Sequence, residues 1–171
     1  HSSAGQPRTT GADVREGSDR TTQSAQATSA VGMTGQSWQT FLRAIADKAR
    51  REPNHRFGDL YRHLNQASLR VSFYLLRKNA ASGVDGVTFQ EYEQKLEANL
   101  ASLVERLKRK SYHARLVRRK YIPKGHGKLR PLGIPVLEDK LLQCAATQIL
   151  LAIYEADFLP CSYGYRPGRG P

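Results

Sequence analysis

Apolar residues first recur with helical spacing at Trp38, Phe41, Leu42 and Ile45, the i, i+3, i+4, i+7 pattern of a helix that buries one face. Pro53 interrupts it. Phe57, Leu60, Tyr61 and Leu64 repeat the spacing and predict a second helix, which the run from Leu69 to Leu76 continues or follows. Each stripe reads as core. Residues 79–87, NAASGVDGV, predict a loop in which Gly83 and Gly86 take backbone angles closed to other residues. Asp85 in that loop reads as a turn residue, not an acid catalyst. Thr88 and Glu91 have capping-box spacing. Tyr92, Leu96, Leu100, Leu103 and Leu107 then give one apolar face to the following helix.

The period changes near Arg115. Val117, Arg119 and Tyr121 alternate with Leu116, Arg118, Lys120 and Ile122, which predicts a strand. Gly125-His126-Gly127 reads as a turn, and Leu129 to Ile134 as the returning strand, with Lys124, Lys128 and Arg130 about the tip. Pro135 ends the hairpin. Leu137 to Tyr154 predicts a long helix with Leu141, Leu142, Ala145, Ile149 and Ile153 facing inward. Glu138 and Asp139 fall in its first turn, where negative charge suits the helix N-terminus. The elements predict a helix-rich α+β domain with one basic hairpin. Residues 1–35 lie outside it: Ser, Thr, Gly, Gln and Ala make up 24 of the 35, too little apolar bulk to offset ordering, so this tail is expected to be disordered. The chain begins at His1 rather than Met, as a fragment would.

Charge sharpens the picture. The chain of 171 residues has a formal net charge of +12. Residues 101–130 hold eleven basic residues and one acid, Glu105, so one window carries nearly all of the excess. Affinity for a nucleic acid comes from such local clusters, which release counterions from phosphates. A solvated basic face is the plainer meaning of a charge run. No apolar run approaches the roughly 20 residues that cross a bilayer, and His1 to Arg20 has no signal-peptide core. Cys144, in the last helix, reads as a buried thiol. Cys144 and Cys161 lack metal-ligand spacing and fit a reducing compartment. The five histidines form no recognisable site, and Lys124 to Lys128 lacks Walker spacing. Tyr112, Tyr121, Tyr163 and Tyr165 flank or follow the basic segment and can stack on bases.

Three blocks resemble a known family. They are Gly83-Val84-Asp85-Gly86-Val87-Thr88, then YIPKGHGKLRPLGIPVLEDK from Tyr121 to Lys140, then PCSYGYRPGR from Pro160 to Arg169. In these blocks the chain resembles the front part of a group II intron-encoded reverse transcriptase, or maturase. Residues from Phe57 to Leu76 resemble the helical extension that precedes the fingers in that family. The resemblance implies an extension over residues 36–80, then the fingers and the beginning of the palm of a right-hand polymerase over residues 81–171. It implies an RNA-directed DNA polymerase that binds RNA template, group II intron RNA, a DNA primer and dNTP, off the membrane, in a bacterial cytoplasm or an organelle.

By motif position, Lys124 and Arg130 are the expected triphosphate contacts, with Lys128 beside them. Arg115, Arg118, Arg119 and Lys120 of the basic segment are expected nucleic-acid contacts. Arg166 of the third block is expected to touch template or neighbouring fingers structure. The family joins nucleotides with Mg²⁺ ions held by palm aspartates that follow the third block. Asp157 precedes that block, so the resemblance assigns no catalytic or metal residue to this chain and implies that it is inactive alone. The competing readings are a stand-alone basic RNA-binding module, a basic domain whose charge serves solubility, and a retron-like or other bacterial reverse transcriptase.

Overall fold

The computed structural model describes residues 32–124, 128–164, 166 and 168. Helix α1 is Gly32–Arg51, followed by a single 3-10 turn, Leu60–His63, and by α2, Gln66–Tyr74. Helices α3, Phe89–Gln94, and α4, Leu96–Lys108, lead to strands β1, Arg118–Pro123, and β2, Leu129–Ile134. Helix α5 is Leu137–Tyr154. The class is α+β, as the sequence predicts. Of the tail expected to be disordered, residues 1–35, positions 1–31 lie outside the described residues, and 32–35 are instead the first turn of α1, which begins at Gly32 ahead of its apolar stripe.

Most elements form where the pattern places them, and the exceptions have local causes. The second predicted helix is only a 3-10 turn. Asp59, the residue before it, has φ 53, a left-handed conformation that no α-helix continues through. Asn65 then caps α2: its side chain accepts from Ser68 N at 3.1 Å, and the Ser68 hydroxyl accepts from Asn65 N at 3.1 Å. The Thr88–Glu91 box is present, and it holds the Glu91 carboxyl below the usual range through hydrogen bonds from Thr88. The helix beyond it is two helices. Lys95 leaves helical geometry at φ −124, and the Tyr92 carbonyl accepts from Lys95 N at 3.3 Å and from Asn99 Nδ2 at 3.1 Å. Helix α4 ends with Lys110 at φ 54, its N–H on Leu107 O and that of Ser111 on Arg106 O. That pairing satisfies the last carbonyls with lysine where glycine is usual.

The core has two clusters. One gathers Leu69 and Phe73 of α2, Phe89 and Tyr92 of α3, Leu96, Leu100, Leu103 and Leu107 of α4, and Leu137, Leu141 and Ala145 of α5. Phe73 stacks on Phe89 with centroids 4.2 Å apart. The other gathers Trp38 and Ile45 of α1, Val71 of α2 and Ile149 of α5. A polar chain crosses the second cluster: Trp38 Nε1 donates to Gln148 Oε1 at 3.0 Å, and Gln148 Nε2 donates to Ser72 Oγ at 2.8 Å. Ser72 in turn donates to Ser68 O at 2.8 Å, so these buried polar atoms are satisfied. Cys144 is half-buried beside Gln148, and burial pushes its thiol pKa up.

The loop before α3 packs on the start of α5. Asp85 Oδ1 accepts from Val87 N at 3.2 Å, as a turn aspartate does. Gly86 has φ 74, but Gly83 is needed for a different reason from the one the pattern suggests. A Cβ there would lie 2.5 Å from Val136 Cα and 2.7 Å from Val136 N. Backbone cannot yield as a side chain can. Gly83→Ala is therefore expected to cost about 1–3 kcal/mol, the usual range for overpacking. Urea unfolding checks this, and an unchanged midpoint contradicts it.

Candidate nucleic-acid interface

The hairpin is antiparallel, and its register sets which side chains share a face. Arg118 faces Ile134, Lys120 faces Leu132 and Ile122 faces Arg130. On the other side Arg119 faces Gly133, Tyr121 faces Pro131 and Pro123 faces Leu129. Directly opposed residues point the same way. Lys124 N donates to Lys128 O at 2.8 Å and carries the alternation one pair further. One face thus holds Arg118, Lys120, Lys124, Lys128 and Arg130. The opposite face holds Arg119 and an apolar set centred on Tyr121, Leu129 and Pro131.

Like charges directly opposed across a sheet are destabilising. Within the two strands the register avoids this: Arg118, Lys120 and Arg130 have Ile134, Leu132 and Ile122 opposite them, and Lys124 and Lys128 face each other just beyond the strand ends. The aliphatic stems of Lys and Arg can lie along those neighbours while the charged ends stay in water. All seven hairpin-segment candidates, Arg115, Arg118, Arg119, Lys120, Lys124, Lys128 and Arg130, are exposed. Only Ile122 in β1 and Ile134 in β2 are withdrawn from solvent. The predicted turn at 125–127 and Tyr165 lie outside the described residues.

The hairpin joins the helices at its root. Asp139 is buried, at 5% exposure. It accepts from the Tyr112 hydroxyl and, at 3.2 Å, from Arg115 N. Next to it, Glu138 accepts from Arg106 Nη2 at 2.8 Å and from Tyr92 OH at 3.4 Å. The Arg106 guanidinium lies 5.5 Å from the Tyr112 ring centroid. These two acids therefore do more than favour their own helix N-terminus: they tie α5 to α4 and to the segment entering β1. Lys140 donates from Nζ to Ala81 O at 2.5 Å. Burial, and next the Arg118 charge, lower its pKa, while Asp85 opposes the shift.

No protein-family model matches the chain. Among curated proteins, YkfC of Escherichia coli K12 is 38% identical over 133 residues, covering 74% of this chain and 34% of that protein. The group II intron-encoded protein LtrA of Lactococcus lactis is 34% identical over 130 residues, covering 75% of this chain and 22% of LtrA. A 91 kDa protein in the cob intron of Schizosaccharomyces pombe is 30% identical over 106 residues, covering 62% of this chain and 13% of that protein. The chain belongs to the group II intron-encoded protein family. It spans about a third of YkfC and less than a quarter of LtrA.

In this family member, Arg166 differs from the other candidates because it is buried, at 7% exposure. It donates from Nη2 to Glu155 Oε1 at 2.5 Å, from Nε to Glu155 Oε2 at 3.2 Å, and from Nη1 to Leu159 O at 3.1 Å and Ser162 O at 2.6 Å. Its guanidinium also lies 5.1 Å from the Phe158 ring centroid. In this arrangement it folds the segment after α5 back on the helix end. The carboxylates do not fit a Mg²⁺ centre: no group of three potential ligands occurs among the described residues, and Glu138 and Asp139 already hold Arg106 and Tyr112. No helix among the described residues is long and apolar enough to cross a membrane. Of the stacking candidates, Tyr121 and Tyr163 are exposed, whereas Tyr112 is occupied at the hairpin root. Sequence spacing passed over Arg106 and Lys140, whose roles arise from contacts between distant elements.

The root makes a prediction in alkali. Burial, then the Glu138 charge, raises the Tyr92 pKa above the ordinary phenol value of 10.0. Burial, then the bond to Asp139, does the same for Tyr112. A phenol raised on folding adds stability that is fully present below its unfolded pKa and is lost as pH rises through the folded value. Ultraviolet titration should show Tyr92 and Tyr112 ionising only as the chain unfolds, above pH about 10. Tyr112→Phe should remove one of these two. Ionisation of every tyrosine while the fold persists contradicts the assignment.

Proposed function

We propose that this chain is the template- and nucleotide-contacting part of a group II intron reverse transcriptase, and that the charged face of its hairpin is the polyanion contact. The fingers of a right-hand polymerase are the reading of residues 81–171 that the family supports. The single observation that carries it is the one-sided arrangement of Arg118, Lys120, Lys124, Lys128 and Arg130 on an exposed hairpin. Five flexible cations on one face suit a row of phosphates better than a compact acidic partner. Lysine brings mobile point charges, and Arg130 brings a fork able to take two phosphate oxygens.

The triphosphate of a dNTP and the backbone of an RNA template offer the same oxygen acceptors. Lys124, Lys128 and Arg130 lie toward the tip, and Arg118 and Lys120 lie toward the root. The tip therefore takes the triphosphate when a nucleotide is present and backbone phosphates of the template–primer when none is, and the root side takes the template strand. Arg115 and Arg119 add charge outside this face. The family resemblance assigns the metal ligands of primer extension to palm aspartates that follow the third block, so on this reading these residues bind but do not polymerise. With Mg²⁺, primer–template and dNTP, the chain should give no extension above a blank, and measurable extension contradicts that part of the reading.

Binding is the sharper test. Affinity for an RNA template annealed to a DNA primer should fall linearly with the logarithm of salt concentration. Each of Lys120→Ala and Arg130→Ala should flatten that slope by about 0.7–0.9, the value for one phosphate contact. Slopes equal to that of the unsubstituted chain contradict the assignment, and salt-insensitive binding favours a domain whose charge serves solubility alone.

A further inference from the structure

The geometry points to Asp139 as a positioning residue: through Tyr112 and the Arg115 backbone it sets the angle at which the charged face of the hairpin meets nucleic acid. The inference rests on the reading of that face as the polyanion contact. Beyond the root the hairpin is exposed, apart from half-buried Ile122, and it is six residues long in each strand. Such strands reach about 20 Å, so a tilt of about 10° at the root carries the tip about 3–4 Å. That displacement is larger than the tolerance of a hydrogen bond. Little but the root can hold the angle.

The root is fixed on both strands. On the β2 side, Ile134 is 7% exposed and Val136 is 2% exposed, with Gly83 against the Val136 backbone. Gly133 leaves room for Val117, whose Cγ2 would sit 3.0 Å from a Cβ at that position. On the β1 side, the segment from Ser111 to Val117 has no regular structure, and only Tyr112 within it is withdrawn from solvent. The two oxygens of Asp139 hold it at two points, the Tyr112 hydroxyl and Arg115 N, three residues before β1 begins. The neighbouring Arg106, paired with Glu138, lies over the Tyr112 ring. A carboxylate buried at 5% exposure thus spends both oxygens on the chain that leads into the hairpin.

Asp139→Asn keeps the size of the side chain but replaces one acceptor oxygen with an amide donor, which cannot accept from Arg115 N or Tyr112 OH. Tyr112→Phe removes one of the two bonds and retains the packing, so it serves if the first variant folds poorly. Binding to a labelled RNA template annealed to a DNA primer is measured across salt concentrations, at a temperature where circular dichroism shows every variant folded. Either variant should flatten the salt slope by about one unit or more, since misaligned cations lose phosphates. Combined with Arg130→Ala, the second substitution should cost at least about threefold less affinity than it does alone, because a tilted hairpin has already lost that contact. An unchanged slope with additive losses reduces Asp139 to a stability role and overturns the inference. The underlying reading fails separately, if Arg130→Ala alone leaves affinity and slope unchanged.

Discussion

Helix α5 is the element on which the rest of the structure depends, because it must serve both cores and the hairpin at once. Leu141 and Ala145 pack into the cluster with α2, α3 and α4, while Ile149 packs into the cluster with α1. Its first turn presents Glu138 and Asp139 to the hairpin root. Each job uses a different stretch of one apolar helix. A large-to-small change at Leu141, which is fully buried, removes a contact shared by several elements, and such changes cost about 2–5 kcal/mol. The Gln148 chain to Trp38 and Ser72 fixes the rotation of α5 against α1 and α2. That rotation decides which way the first-turn acids, and so the hairpin, point.

Charge repulsion is the second constraint. A window with eleven cations and a single acid must place like charges near each other. The hairpin solves this by register rather than by pairing with acids. Across the strands Arg118, Lys120 and Arg130 each meet an aliphatic side chain, and Lys124 and Lys128 face each other just beyond the strand ends. The charge stays exposed and unpartnered by carboxylates in the strands, which is costly for stability and useful for binding phosphates. By contrast, Arg106 and Arg166 are spent on structure, held by Glu138 and Glu155.

Much of this was legible in the sequence because it follows from periodicity. The α+β class, the limits of β2 and α5 and the Thr88–Glu91 cap come from local pattern alone. The helix predicted over Phe57 to Leu64 fails because a left-handed Asp59 breaks it, and aspartate is a weak signal for that geometry. The break at Lys95 has no proline or glycine to announce it. Gly83 looked like a turn glycine, but its need is set by Val136, more than 50 residues away. Glu138 and Asp139 looked like helix-end charges because their partners, Arg106 and Tyr112, are distant in sequence. Arg166 stood among the expected nucleic-acid contacts, yet burial and four acceptor contacts set it apart from the exposed candidates.

The most direct test compares two charge removals from the same basic window. One pair, Lys120→Ala with Arg130→Ala, lies on the charged face of the hairpin. The other, Lys108→Ala with Lys110→Ala, lies at the exposed end of α4. Both leave the same net charge. The salt slope for binding an RNA template–DNA primer duplex should flatten by about 1.4–1.8 for the hairpin pair and change little for the α4 pair. Equal losses from the two pairs would show that only the total charge matters, and would contradict the hairpin face as the contact.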